Sequence, residues 1–200
     1  MIPLILGMAL FVGMHLFPAQ PLVRNGLIRR FGAGAYKGVF SAVSLAGLAL
    51  IVLGYHKAQI MPGKNPILWT PPAWGRHVTM TLMLPVFPLL IATYLPGRLA
   101  RLVRHPMITA VMLWAAAHLF MRGDAASLLM FGGFLAWAIY DRLSLHAGEK
   151  AGRAREKAGE VTVKGGAIVN DIIALVGGLA LYAVMLKWGH AYLIGVRLIP

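Results

Sequence analysis

The residues best equipped for chemistry in this chain are its seven histidines, since it has no cysteine and only six carboxylate side chains. His15 and His118 lie inside apolar stretches long enough to cross a membrane, while His56, His77, His105 and His190 lie at the ends of such stretches. An ionisable side chain at membrane depth is costly to keep, so it reads first as a functional residue. Imidazole is also almost the only strong metal ligand available here. Two neutral imidazoles on facing helices are a usual way to hold haem iron in a bundle, and Arg or Lys at the helix ends can pair with the propionates. The structural alternative for each histidine is an interhelical hydrogen bond. Depth restrains the pairing. His15 sits late in the first apolar stretch and His118 late in the fourth, so at ~1.5 Å per residue they differ by roughly 10 Å or more. By depth alone, His15 would pair with His105, and His118 with His56 or His77.

A second candidate site is Arg104-His105-Pro106. Proline suits the first turn of a helix, where its missing N–H costs nothing, so Arg104, His105 and that helix start form a potential anion site. The structural alternative is an ordinary basic helix start. Asn170 and Asp171 open the sixth stretch, where they are expected to cap that helix, with proton transfer as the lesser reading. Asp124 is expected to cap the fifth stretch. The eleven methionines read as packing residues.

The elements that must position these residues follow from composition. Hydrophobic residues make up 59% of the chain and charged residues 12%, half the share usual in soluble domains. A spanning helix needs roughly 20 apolar residues. Stretches 2–18, 36–55, 77–95, 106–121, 124–140 and 167–187 meet or approach this. The expected fold is therefore all-α: a polytopic membrane protein, a bundle of about six transmembrane helices forming one domain over residues 1–200. Pro85 and Pro88 should kink the third span, with neighbouring helices satisfying the freed carbonyls. Loop 56–76, with four prolines, Trp69 and Trp74, should be ordered and extended. In loop 141–166 the near-helical spacing of Glu149, Arg153, Glu156 and Lys157 suggests a surface helix.

The net charge of +13 is spread between apolar spans and comes with no nucleic-acid-binding motif, which excludes nucleic acid as a partner. It is a topology signal instead. Most of the basic residues lie in loops 19–36, 96–105 and 141–166, which places those loops in the cytoplasm and both termini outside it. Zero cysteines removes disulfides, thiolate ligands and covalent haem attachment.

With the elements placed, the chain resembles the NnrU family of bacterial membrane proteins almost end to end. The carrying segments begin with His15, Gly32-x-x-x-Tyr36 and Phe40-Ser41-x-x-Ser44-Leu45. They continue with Pro72-Ala-Trp74-x-Arg76-His77, Leu95-Pro-Gly97, Arg104-His-Pro-Met107 and Leu113-Trp114-Ala-x-Ala-His118-Leu119. Gly123-Asp124, Phe134-Leu-Ala-Trp137-Ala-x-Tyr140-Asp-Arg142 and Trp188-x-His190-x-Tyr192-Leu-x-Gly195-Val196 complete the set. The resemblance implies a denitrification-associated role, and the family is similar to the plant zeta-carotene isomerase, a haem b enzyme. Carried over by position, that enzyme's two haem-ligating histidines fall on His15 and His118, and its further histidine falls on His56. One departure is Arg122, where the family usually has Asn before Gly-Asp.

The resulting expectation is a haem b-binding protein of the bacterial inner membrane, with a redox, denitrification-linked or polyene-isomerising role. Its partners would be the bilayer, haem, and a hydrophobic small molecule or a respiratory enzyme. Two alternatives stand beside it. Arg104-His105-Pro106 is similar to the cofactor motif of membrane S-adenosylmethionine-dependent methyltransferases, although the usual tyrosine after the proline and the later glutamate pair are absent. A non-catalytic assembly factor for nitrogen-oxide reductases would instead work through loop 141–166.

Overall fold

The computed structural model describes residues 1–18, 20–63, 65–95, 97–150 and 167–198. Every regular element among them is a helix. In chain order these are α1 (Ile2–Leu16), α2 (Pro21–Ile60), α3 (Gly75–Met83), α4 (Val86–Tyr94), α5 (Arg98–Val103), α6 (Pro106–Leu119), α7 (Ala125–Lys150), α8 (Ala167–Val184), a π-helical turn (Met185–Gly189) and α9 (His190–Ile194). Four helical stretches are long and apolar enough to cross a membrane: Pro21–Ile60, Gly75–Tyr94, Ala125–His146 and Ile168–Ile194. Two shorter apolar helices, α1 and α6, bring the bundle to the expected six. The charged stretch after Lys150, with Arg153, Glu156 and Lys157, lies outside the described residues, so the expected surface helix there is not described.

Glycine sets the close approach of α1 and α2. On α1 a side chain at Gly7 would lie 2.6 Å from the Ile51 nitrogen of α2, and one at Gly47 would lie 2.9 Å from the Phe11 nitrogen. Gly54 likewise abuts the backbone of Leu4. Small residues let backbones approach where lipid supplies no hydrophobic drive. This antiparallel contact fixes the depth of His15, one turn past Phe11. Buried Leu4, Met8, Ile51, Ala115, Met130, Phe131 and Phe134 form the main core, from α1, α2, α6 and α7. Large apolar side chains on the rim, such as Ile172 and Val176, are 54% and 63% exposed, as a lipid-facing surface requires.

The third span breaks at its prolines, as expected: α3 stops at Met83 and α4 starts at Val86. The Leu84 N–H turns to the Thr81 carbonyl at 3.3 Å. The Tyr182 hydroxyl of α8 donates to the Met80 carbonyl at 2.9 Å, so a neighbouring helix satisfies the kink. Two expectations need correction. The first concerns 19–36, where most of the segment is helical, because α2 starts at Pro21; only Gly32, at φ 82 and ψ 156, interrupts it. Three arginines and three glycines disguised that helix as a loop, although proline at its first position and the glycine break at 32 mark its ends. The second concerns Asp171, which lies inside α8 and does not cap it. Its carboxylate accepts the backbone N–H groups of Arg98 and Leu99, both at 3.0 Å, and so caps α5.

Candidate functional site

The bundle has two chemically different ends. One, the α5 end, carries the end of α1, the end of α4, all of α5, the start of α6 and the start of α8. The other, the Asp124 end, carries the end of α2, the start of α3, the end of α6 and the start of α7. His15 and His105 belong to the α5 end. His118, His56, His77 and His190 belong to the Asp124 end.

His15 and His118 are held alike. The Nδ1 of His15 lies 2.7 Å from the Phe11 carbonyl, and that of His118 lies 2.8 Å from the Trp114 carbonyl, each one turn back on its own helix. A carbonyl only accepts, so Nδ1 carries the proton and Nε2 keeps its lone pair. Tying one ring nitrogen to a carbonyl is how metal-binding histidines are usually oriented. Both rings sit among aromatics. His15 stacks on Phe11 at 4.2 Å and meets Phe40 and Trp137 at 5.2 and 5.5 Å. His118 stacks on Phe131 at 4.6 Å and meets Trp114 at 5.4 Å.

The donor chemistry therefore suits an axial ligand at either histidine, but the two do not face each other. Their α7 neighbours, Phe131 and Trp137, are six residues apart, about 9 Å along the helix axis. Phe11 packs on Phe134 at 5.6 Å and Phe134 on Trp114 at 5.6 Å, which fills the layer between the imidazoles. A metal–imidazole bond is only about 2 Å long. In this packing one iron cannot be held by both, in line with the depth argument from the sequence. Among the described residues no three His, Asp or Glu side chains form a metal-holding group.

Other residues sort by end. The Asp141 carboxylate lies within electrostatic range of His105 and His15. His118 has His190 and Arg122 in electrostatic range. The π-helical turn just before His190 is a feature frequent at functional sites. His56 and His77 are both exposed, His56 on the face of α2 beside Tyr55, which turns inward.

The sequence did not reveal the densest polar cluster, which surrounds Asp124. This carboxylate sits immediately before α7, outside the spanning helix, and is 8% exposed. It accepts the Ser127 N–H at 3.0 Å, so it caps α7 as expected. It also accepts the Ser127 hydroxyl at 2.8 Å, Asn65 at 2.8 Å, Gln59 at 2.9 Å and Arg122 at 3.0 Å. Burial pushes its pKa up, but hydrogen bonds from Asn65, Ser127 and Gln59 outweigh that and bring it to about 2. Tyr55 extends the cluster to Ser127 at 2.9 Å. Arg122 is thereby held, with further bonds to Gln59 at 2.6 Å and Ser127 at 3.1 Å, so the charge beside His118 is a fixed one. The loop before α3 is ordered by the same region, through Leu68 N–H to the Gly123 carbonyl at 2.7 Å. No local signal could have found the set, because its members lie some sixty residues apart in sequence.

At the α5 end, Arg104 has φ 64, the one positive value outside glycine among the described residues. The His105 N–H donates to the Val103 carbonyl at 2.8 Å, which makes Arg104 the centre of a strained γ-turn. Arg142 donates to the same carbonyl at 3.1 Å. This turn lets α5 stop and α6 start within two residues. Beside it is a groove of ≈ 350 Å³ lined by Ala92, Thr93, Ala100, Arg104, His105 and Pro106 with the two residues after it.

Comparison with protein families matches the family described as NnrU protein over residues 3–198. Comparison with curated proteins and with solved structures returns no match.

Proposed function

Because the chain belongs to the NnrU family, we propose that it is a multi-pass membrane protein that carries haem b on an intramembrane imidazole, His15 or His118. The observation that supports this reading is the shared anchoring of the two rings, each tied through Nδ1 to the carbonyl one turn back, with Nε2 left for a metal. His15 and His118 act at separate depths and are not joint ligands of one iron. Bound haem supplies one-electron chemistry at its iron. The protein's own contribution is to orient an imidazole, exclude water with Phe11, Phe131, Phe134 and Trp114, and fix a cation, Arg122, beside His118. The physiological role is redox or denitrification-linked, with isomerisation of a hydrophobic polyene as the related activity. The location is the bacterial inner membrane with both termini periplasmic, since Arg98, Arg101, Arg104 and Arg142 gather at the α5 end.

The test is haem content and the absorption spectrum of the detergent-purified protein and of His15→Ala and His118→Ala. Loss of haem in one variant alone is the expected result. Loss in both means that the intervening rings move aside for a shared iron. Full haem in both variants removes the reading. A second reading, a membrane S-adenosylmethionine-dependent methyltransferase, draws on the groove at Arg104-His105-Pro106; calorimetric binding of S-adenosylmethionine would favour it.

A further inference from the structure

Two concavities adjoin one short helix, α5, and neither is lined by His15 or His118, the histidines that reach into the bundle. One, of ≈ 560 Å³, is lined by Arg98, Leu99, Arg101 and Leu102. The other, of ≈ 350 Å³, is lined by Ala92 and Thr93 of α4, Ala100 of α5 and the segment from Arg104 to Ile108. α5 links the end of one spanning stretch, at Tyr94, to the start of α6, so it lies where the spans leave the membrane.

Its side chains divide as that position demands. Leu102 is 83% exposed and Tyr94 76% exposed, an arrangement that is costly in water and ordinary against lipid. Arg98 and Arg101 are exposed beside them. The start of α5 is already capped by Asp171, which accepts the Arg98 and Leu99 N–H groups. An anion here is therefore drawn by the guanidinium groups and not by the helix end. Guanidinium forks suit phosphate oxygens. The Arg104 γ-turn holds the end of α5 against α6 and Arg142, so the ledge is a fixed one.

We infer that the α4–α5–α6 ledge binds an anionic phospholipid, its phosphate on Arg98 and Arg101 and an acyl chain in the groove past Ala92, Thr93 and Ala100. The positive patch meets a negative headgroup, and the groove beside it is walled largely by apolar and small side chains, so both parts of the ligand are matched. This site is independent of haem. Lipid binding and haem content therefore report separately on the two proposals.

The test is native mass spectrometry of delipidated, detergent-purified protein titrated with phosphatidylglycerol and, separately, phosphatidylcholine. Retention of phosphatidylglycerol over phosphatidylcholine is expected. Arg98→Gln combined with Arg101→Gln should weaken it about thirtyfold at low salt, about fivefold for each arginine near the surface. The Lys pair at the same positions keeps both charges and guards against a folding artefact; it should retain most of the affinity. Equal retention of the two lipids, or a Gln pair that binds like the wild type, overturns the proposal. So does displacement of the lipid by millimolar inorganic phosphate, which would mark a site for the free ion, or by S-adenosylmethionine.

Discussion

Replacing Asp124 by Asn removes one charge and keeps nearly the same shape, so it isolates what the carboxylate does. Five donors from Gln59, Asn65, Arg122 and Ser127 converge on it at 2.8 to 3.0 Å, and it is 8% exposed. A carboxyl held at about 2 against an ordinary 3.8 is stabilised in its charged form by about 2 kcal/mol. Asp124→Asn should lose about that much. Asp124→Ala should lose about 3 kcal/mol, because the Arg122 Nε and the buried Ser127 hydroxyl each lose one of their partners as well. The pH dependence has a definite sign. The folded pKa is depressed, so the stabilisation is complete above the unfolded value near 4 and is lost as pH falls toward about 2. Unfolding in mild detergent by dodecyl sulfate titration, followed by tryptophan fluorescence between about pH 6 and pH 2, reads both effects. Wild type should weaken through that acid window, and Asp124→Asn should start lower and weaken less. An Asn variant as stable as wild type at neutral pH, or one with the same acid limb, would refute the reasoning.

Two other predictions concern the frame. Gly7→Ala places a methyl group 2.6 Å from the Ile51 nitrogen and should cost about 1–3 kcal/mol, whereas Gly13→Ala on the same helix meets nothing within 4 Å and should be neutral or stabilising; equal effects at the two positions in detergent unfolding would contradict the close α1–α2 contact. Asp171→Ala should free the first N–H groups of α5, costing about 1–2 kcal/mol locally, and hydrogen exchange should rise at Arg98 and Leu99 with little change in global stability. Unchanged exchange at those two amides would mean that α5 is held by other contacts.

Most of the architecture was legible because membrane spans announce themselves by length and hydropathy. The six apolar stretches correspond to α1, the later part of α2, the α3–α4 pair, α6, α7 and α8, and the break at Pro85 fell where proline chemistry required it. The misread segments were those whose partners are remote. Residues 21–31 have the charge and glycine content of a loop, yet they form the first part of α2. Asp171 has the position of an N-cap, yet it caps α5 some seventy residues earlier in the chain. Capping rules count from a local helix start and cannot see a helix brought in by folding.

The depth of the two intramembrane histidines was readable by counting residues, and the packing gives it a physical cause. The Gly7–Gly47 approach fixes α1 against α2, which sets His15 beside Phe40, while α6 ends with His118 against Phe131 near the start of α7. Between them the rings of Phe11, Phe134 and Trp114 leave no layer for a third group. At the Asp124 end, moreover, the carboxylate is already saturated by Gln59, Asn65, Arg122 and Ser127. It is therefore already occupied as an acceptor, which leaves imidazole nitrogen as the better metal donor at that end. A cofactor that reached His118 would meet Arg122, held rigidly by Asp124, whereas one that reached His15 would meet Asp141 nearby. A fixed cation at the His118 depth should raise the reduction potential of an iron bound there above that of one bound at His15. The potential of the haem retained in the single-histidine variants would thus identify the depth that carries it.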